Sequence, residues 1–342
     1  MRGRHSKAVP ESPGYLARYR ERAARNSEGF GGREQSLYLR RFRAPMSHFE
    51  GARRLPEREA VEAHLIRHGQ TQGYTVDGGL TPLGALQARR RGWEISREIQ
   101  ERESVALVAA RTSRAFRTAE FILGGVEDGM AALEKGASVA GPEYADELQN
   151  FLVRTPSGLK DPTVAARGRQ TEIQRPGQNG GSGPLWIEEV GRFWERQQAG
   201  LDPIEYWLTF PLLTFEPPAS VVRRYWAGLV RLAREGSVDR LVCAVHSGPM
   251  RAFAATAIGR DLGEPANTEE VRVRLERDLS EAEVFYRGHS RRIEIPPFDG
   301  HAGWSEPTHE EEARTRSYAE NGSRDGGREV MAENPAKQMG KE

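Results

Sequence analysis

The chain has one cysteine, Cys243, in 342 residues. No disulfide can form within it, and a reducing compartment is the expectation. It has almost no net charge: 50 Lys and Arg against 49 Asp and Glu leave +1, so nothing draws the whole chain toward nucleic acid. It has no run near the roughly 18–20 uninterrupted apolar residues that cross a bilayer, which excludes an integral membrane protein built of helices. The segment Met1 to Pro13 is basic but lacks the apolar centre of a secretory signal. A cytoplasmic protein with no membrane partner is therefore expected. No internal repeat is visible. Glycine is plentiful, at 37 residues, and added to the 37% hydrophobic residues it gives the apolar share of an ordinary globular protein. A wholly disordered chain is excluded, and the length suits one large domain or two modest ones.

Charge is unevenly spread. Residues 1–58 hold fourteen Arg or Lys against six Glu, and residues 301–342 hold nine acidic against six basic residues with almost no aliphatics. Both segments, 1–58 and 298–342, read as tails with too little apolar surface to offset ordering entropy. Ser36 to Phe42 is amphipathic enough to dock on something; docking on its own domain or disorder is expected ahead of nucleic-acid or anionic-membrane binding. Nucleic acid is not an expected partner, although the basic tail keeps that question open, and the oligomeric state is not legible.

Between the tails, over residues 59–297, strand and helix signals alternate. Val61–Ile66, Val105–Ala110 and Leu241–Val245 are short, nearly continuous apolar runs. Each precedes a helix pattern: Thr81-Pro82 as N-cap and first helical residue, Ser113 through Phe121, and Met250–Ile258. In the first helix Leu83, Leu86 and Trp93 share one face. Ser220 reads as the N-cap of a further helix carrying Val222, Tyr225, Leu229 and Leu232. Such alternation predicts an α/β fold of three αβα layers around a mostly parallel sheet. Val271–Leu275, Val284–Tyr286 and Ile293–Ile295 are candidate later strands. An insertion of about residues 150–217 contains a Gly, Pro, Gln and Arg-rich loop, Thr155 to Gly183. Behind it lies an aromatic group at helical spacing, Trp186, Val190, Phe193 and Trp194, which reads as a secondary core.

Chemistry stands at the exits of the three apolar runs. Arg67-His68-Gly69-Gln70-Thr71 follows the first, Arg111 and Arg114 the second, and His246-Ser247-Gly248 the third. In a parallel sheet these exits lie along one edge, where open α/β folds build their sites. Cationic groups gathered there need an anionic partner, and phosphate suits the arginine fork. A histidine can attack phosphorus through one ring nitrogen while a hydrogen bond holds the other. Gly69 leaves room for the backbone to approach a bound group, and Thr71 offers a hydroxyl. Two guanidiniums and a protonated second histidine would balance a phosphate dianion without a metal. His64 and His68 are four apart, but in a strand, so no metal centre is expected. Cys243, mid-strand, reads as a small buried hydrophobe.

These residues resemble the histidine phosphatase superfamily, which includes the cofactor-dependent phosphoglycerate mutases. The likeness runs in order through Leu65 to Thr71, Leu80 to Ala88, Arg114 to Ala119 and Val245 to Arg251, covering about residues 60–260. It implies that His68 is the nucleophile that becomes phosphohistidine, with Arg67, Arg114 and His246 on the phosphoryl oxygens and no cofactor. It also implies a carboxylate general acid between the second arginine and the late histidine. Glu147 fits that place best, with Asp146 and Glu143 as rivals, while Arg111 reads as a solvated or structural charge. The chain departs from the pattern at Tyr74, where an Asn is usual six residues after the nucleophile. It departs again at Pro218-Ala219-Ser220, which lacks an acid, and after Glu147, where the usual glycine and tryptophan are missing. These departures count against a glycolytic mutase. The expectation is a phosphatase acting on a small phosphorylated substrate; a mutase and a catalytically weak phospho-ligand or partner-binding protein remain the alternatives.

Overall fold

The computed structural model describes residues 60–73, 79–174, 184–236, 238–297 and Trp304. Residues 1–58, the rest of 298–342 and Tyr74 lie outside the described residues. The three apolar runs become β1 (Ala60–Arg67), β2 (Ser104–Ala109) and β6 (Arg240–Val245). Each is followed by a helix: α1 (Pro82–Glu98), α2 (Ser113–Ala132) and α7 (Ser247–Ile258). Thr81 caps α1 as its sequence indicates, its side chain accepting from the Gly84 N–H with Pro82 in the first turn.

One seven-stranded sheet runs in the order β3-β2-β6-β1-β7-β8-β9, where β3 is Ser138–Tyr144, β7 Glu270–Glu276, β8 Glu281–Tyr286 and β9 His289–Glu294. The four strands β3, β2, β6 and β1 are mutually parallel. The three late strands are present and continue the sheet antiparallel from β1. Burial follows this division: every residue of β1 and β6 is buried, because both faces are covered, whereas β7 and β8 alternate buried and half-buried positions.

Adjacent strand residues feed opposite layers, as a period of two requires. Ile66, Leu107 and Val242 pack with Ile95 of α1 and Ile122 and Val126 of α2. Leu65, Val108, Cys243 and Val245 pack on the other face with Tyr225, Trp226, Met250 and Phe253, from α6 (Pro218–Gly236) and α7. Burial raises the Cys243 thiol to about 12, as befits a core side chain.

Two sequence expectations are corrected here. The buried face of α1 is not the one bearing Leu83 and Leu86, which are 50% and 64% exposed; it is Gly84, Ala88, Gly92, Ile95 and Ser96. The helices α1 and α2 approach backbone to backbone. A Cβ on Gly92 would collide with the Ile122 carbonyl, and one on Gly125 with that of Arg89. Apolar periodicity marks a buried face only where large side chains fill it, and here glycine does.

The stretch from Thr155 is not one loop. Val153–Thr155 (β4) and Gly158–Lys160 (β5) form a hairpin, and Pro162–Ile173 is helix α3, capped by Asp161 with Pro162 at its start. The helix signal was the Asp-Pro pair itself, set in a composition that reads as loop. The aromatic group forms α4 (Leu185–Gln198) and α5 (Pro203–Thr209). Phe151 stacks on Trp207 with centroids 4.3 Å apart, and Phe193 and Phe215 complete the cluster. This cluster is continuous with the main core. The Phe151 ring lies so close to α7 that a Cβ on Gly248 would stand 2.7 Å from it. Helix α6 begins at Pro218, two residues before the expected Ser220 cap, its first turn closed by the Val221 N–H on the Pro217 carbonyl.

Candidate active site

The strand register brings the motifs together. Arg67 at the end of β1 pairs with Val245 at the end of β6, and Ala109 at the end of β2 pairs with Ala244. The ladder continues one step past each strand: the His68 N–H donates to Val245 O at 2.9 Å and the Ala110 N–H to Ala244 O at 3.0 Å. His68, His246 and the start of α2 therefore leave the sheet side by side at its carboxyl edge.

His68 is 4% exposed, and its Nδ1 stands 2.9 Å from the Gly69 carbonyl. A carbonyl only accepts, so Nδ1 carries the proton and Nε2 keeps its lone pair. Burial, then the charges of Arg114 and Arg67, hold the imidazole pKa down at about 3. His68 is thus a neutral imidazole at physiological pH, with Nε2 unprotonated.

His246 is 2% exposed, with its ring centroid 5.3 Å from that of His68. Its Nε2 lies 3.2 Å from the Thr112 hydroxyl, which also accepts from the Ala115 N–H as the N-cap of α2. Where the Thr112 hydroxyl donates its proton to Nε2, Nδ1 carries the ring proton. Nδ1 is buried and has no hydrogen-bond partner among the described residues, the kind of donor an anionic oxygen would satisfy. Burial first, then Arg114, His68 and Arg67, push the His246 pKa well below its ordinary value. The sequence expectation was a protonated second histidine, whereas burial beside the two guanidiniums favours the neutral form of His246.

Arg67 and Arg114 are both buried. Nη1 of Arg67 donates to the Pro265 carbonyl and pairs with Glu264 Oε1 at 3.0 Å. The same loop grips the backbone of the Arg67-His68 pair: Asn267 Nδ2 donates to His68 O and the Thr268 N–H to Arg67 O, both at 3.0 Å. Arg114 Nη2 lies 3.5 Å from Asp161 Oδ2. Arg111 instead pairs with Asp146 at 2.7 Å on the surface, over the Tyr144 ring, a structural charge as expected.

The fold gives Gly69 a packing role of its own. A Cβ there would stand 2.5 Å from the Gly84 carbonyl, and a Cβ on Gly84 would collide with that of Gln70. The two glycines let the loop sit flat on the start of α1. The Gly69 N–H donates to Thr118 Oγ1 at 3.0 Å, and the Thr118 hydroxyl donates to Arg114 O, tying the first motif to the second. Thr71 is spent locally, its hydroxyl 3.3 Å from Gly73 O.

The expected acid is placed elsewhere. Glu147 lies on a single 3-10 turn, Asp146–Leu148, and forms a two-pronged pair with Arg231 of α6, at 2.6 and 2.9 Å. That pairing holds its carboxyl below the usual range. The segment is fixed against α6 by Arg224, which donates to the carbonyls of Glu147, Gln149 and Asn150, and by Tyr225, whose hydroxyl donates to Leu148 O. Asp146 is exposed with Arg111, and Glu143 is exposed on β3. Among the described contacts none of the three carboxylates meets His68, His246, Arg67 or Arg114. Among the described residues, the carboxylates that meet the site arginines are Asp161 and Glu264. Neither was identified from sequence, nor were Thr112, Thr118 and Asn267. The N-cap signals at Thr112 and Asp161 were the only local hints.

His64, the other histidine of β1, is wholly buried, with Nδ1 on Glu270 at 2.9 Å and Nε2 facing an Arg240 donor at 2.6 Å. It belongs to a structural ion network that continues through Arg240 to Glu103.

No family model matches the chain, and no curated protein matches it. Solved structures do. A mycobacterial glucosyl-3-phosphoglycerate phosphatase in complex with VO3 is 16% identical with a TM-score of 0.38, covering 69% of this chain and 98% of that one. A putative alpha-ribazole-5'-P phosphatase from Escherichia coli K-12 is 14% identical with a TM-score of 0.37, covering 70% and 97%. A phosphoserine phosphatase mutant from Entamoeba histolytica in complex with phosphoserine is 15% identical with a TM-score of 0.36, covering 69% and 96%. The four ordered segments of this chain resemble those of the histidine phosphatase superfamily, and they stand on an α/β sheet.

Proposed function

We propose that this protein is a phosphate monoester hydrolase acting through phosphohistidine at His68, on a small phosphorylated substrate. The observation that carries the reading is a neutral, buried His68 with its Nδ1 proton on the Gly69 carbonyl, set between Arg67 and Arg114. Nε2 attacks phosphorus while the two guanidiniums and the Nδ1 proton of His246 hold the equatorial oxygens, where charge develops. Two fixed positive charges match the dianion, so the transfer requires no metal. Water then releases inorganic phosphate from His68.

The test is phosphate release from an aryl phosphate in excess chelator, with acid-labile label on the enzyme followed in parallel. The expected result is turnover and a transient label, both lost in His68→Ala by about a thousandfold or more. Absence of label in the unaltered protein would overturn the reading in favour of phospho-ligand binding. A label discharged only to a second phosphorylated acceptor would overturn it in favour of a mutase.

A further inference from the structure

Hydrolysis at His68 needs a proton for the departing oxygen, and Glu147 is committed to Arg231. We propose that Asp161 is the general acid and base of this site; the proposal rests on the phosphatase reading above. Asp161 is the N-cap of α3, its Oδ1 accepting from the Thr163 N–H at 2.8 Å and the Thr163 hydroxyl at 2.5 Å. Its Oδ2 faces the other way, accepting from Asn150 Nδ2 at 3.0 Å with Arg114 Nη2 3.5 Å off. One oxygen anchors the side chain and the other is presented to a phosphate-gripping arginine.

The rival carboxylate, Glu264, stands between two guanidiniums, Arg67 at 3.0 Å and Arg251 at 3.8 Å. Arg251 is itself buried and held by Asp202 and Asp261. Losing Arg67 to a phosphate still leaves Glu264 beside Arg251. Among the described residues Asp161 has one guanidinium neighbour, Arg114. When a phosphate dianion takes Arg114, Asp161 exchanges a cation for an anion at close range, which favours its protonated form. Substrate binding thereby loads the proton that the reaction consumes.

The steps balance. The Nε2 lone pair forms the P–N bond as the P–O bond to the leaving group breaks. The departing oxygen keeps that electron pair and takes the Asp161 proton. The Asp161 carboxylate then removes a proton from water as its oxygen attacks phosphorus. The P–N bond breaks with its electrons returning to Nε2, leaving inorganic phosphate and a reprotonated Asp161.

Asparagine and serine both cap helices, so Asp161→Asn and Asp161→Ser keep the structural role and remove the acid. The probes are an aryl phosphate, whose leaving group needs little protonation, and glycerol phosphate, whose leaving group needs it. Both variants are expected to melt within a few degrees of the unaltered protein. On glycerol phosphate they should lose about a hundredfold or more in kcat, and the fall in rate at alkaline pH should disappear. The loss on the aryl ester should be tenfold or less, with the His68 label accumulating. A labelled protein whose Asn and Ser variants keep full rates on both esters, or lose both equally with an unchanged pH profile, overturns the assignment alone. No label on the unaltered protein overturns the phosphatase reading and the assignment with it.

Discussion

Acidification from pH 7 to pH 5 should cost the folded protein about 2 kcal/mol through His68 alone. The imidazole has an ordinary pKa of 6.5 in the unfolded chain and one of about 3 in the fold, lowered by burial and by Arg114 and Arg67. As pH falls below 6.5 the unfolded chain binds a proton that the folded protein refuses. The stability that depends on neutral His68 is therefore complete above 6.5 and is lost progressively down to about 3. Between pH 7 and pH 5 the proton-binding factor of the unfolded imidazole rises from about 1.3 to about 33, a ratio of roughly 25, whereas the folded one hardly changes. That ratio corresponds to about 2 kcal/mol. The assay is urea unfolding at the two pH values, in phosphate-free buffer, of the unaltered protein and of His68→Gln, whose side chain does not titrate. His246 and the carboxylates titrate in both, so the difference of differences isolates His68. The gap between the two proteins should move by about 2 kcal/mol in favour of the variant on going to pH 5. Equal pH shifts in both would refute the claim that the fold holds His68 neutral between two guanidiniums.

Replacing Thr112 by Val removes the hydroxyl that contacts His246 Nε2 at 3.2 Å and should lower kcat by about ten- to a hundredfold. Thr112→Ser should restore it, whereas a role confined to helix capping would show only as about 1 kcal/mol in thermal unfolding. Gly92→Ala forces a methyl into the Ile122 carbonyl at the α1–α2 contact. Its unfolding free energy should fall by about 2–3 kcal/mol, and a change under about 0.5 kcal/mol would mean that the helices part at no cost.

The three apolar runs and their polar exits were readable because a strand buried on both faces leaves an unbroken hydrophobic signal, and a motif at its end inherits its position. Thr81-Pro82 announced α1 through local hydrogen bonding that needs no partner elsewhere. By contrast, the exposed Leu83 and Leu86 misled, since the contact that buries α1 is made by glycines whose value lies in the helix opposite. The hairpin and α3 within 153–173 were hidden by a loop-like composition, although Asp161-Pro162 carried a short-range helix start.

The sequence by itself determined the α/β order, the strands that leave Arg67, His68, Arg114 and His246 at their ends, and the core role of Cys243, because these follow from hydrophobic period and residue chemistry along the chain. Only the tertiary structure decided which carboxylates face the site and which charge state the histidines hold. Glu147 and Asp161 look alike as acidic residues in polar segments. One meets Arg231 and the other Arg114 because of how α6 and α2 are laid on the sheet, and neither helix is near in sequence. The neutrality of His246 has the same origin: burial beside two guanidiniums is a property of the assembled edge, absent from any one of the strands that form it.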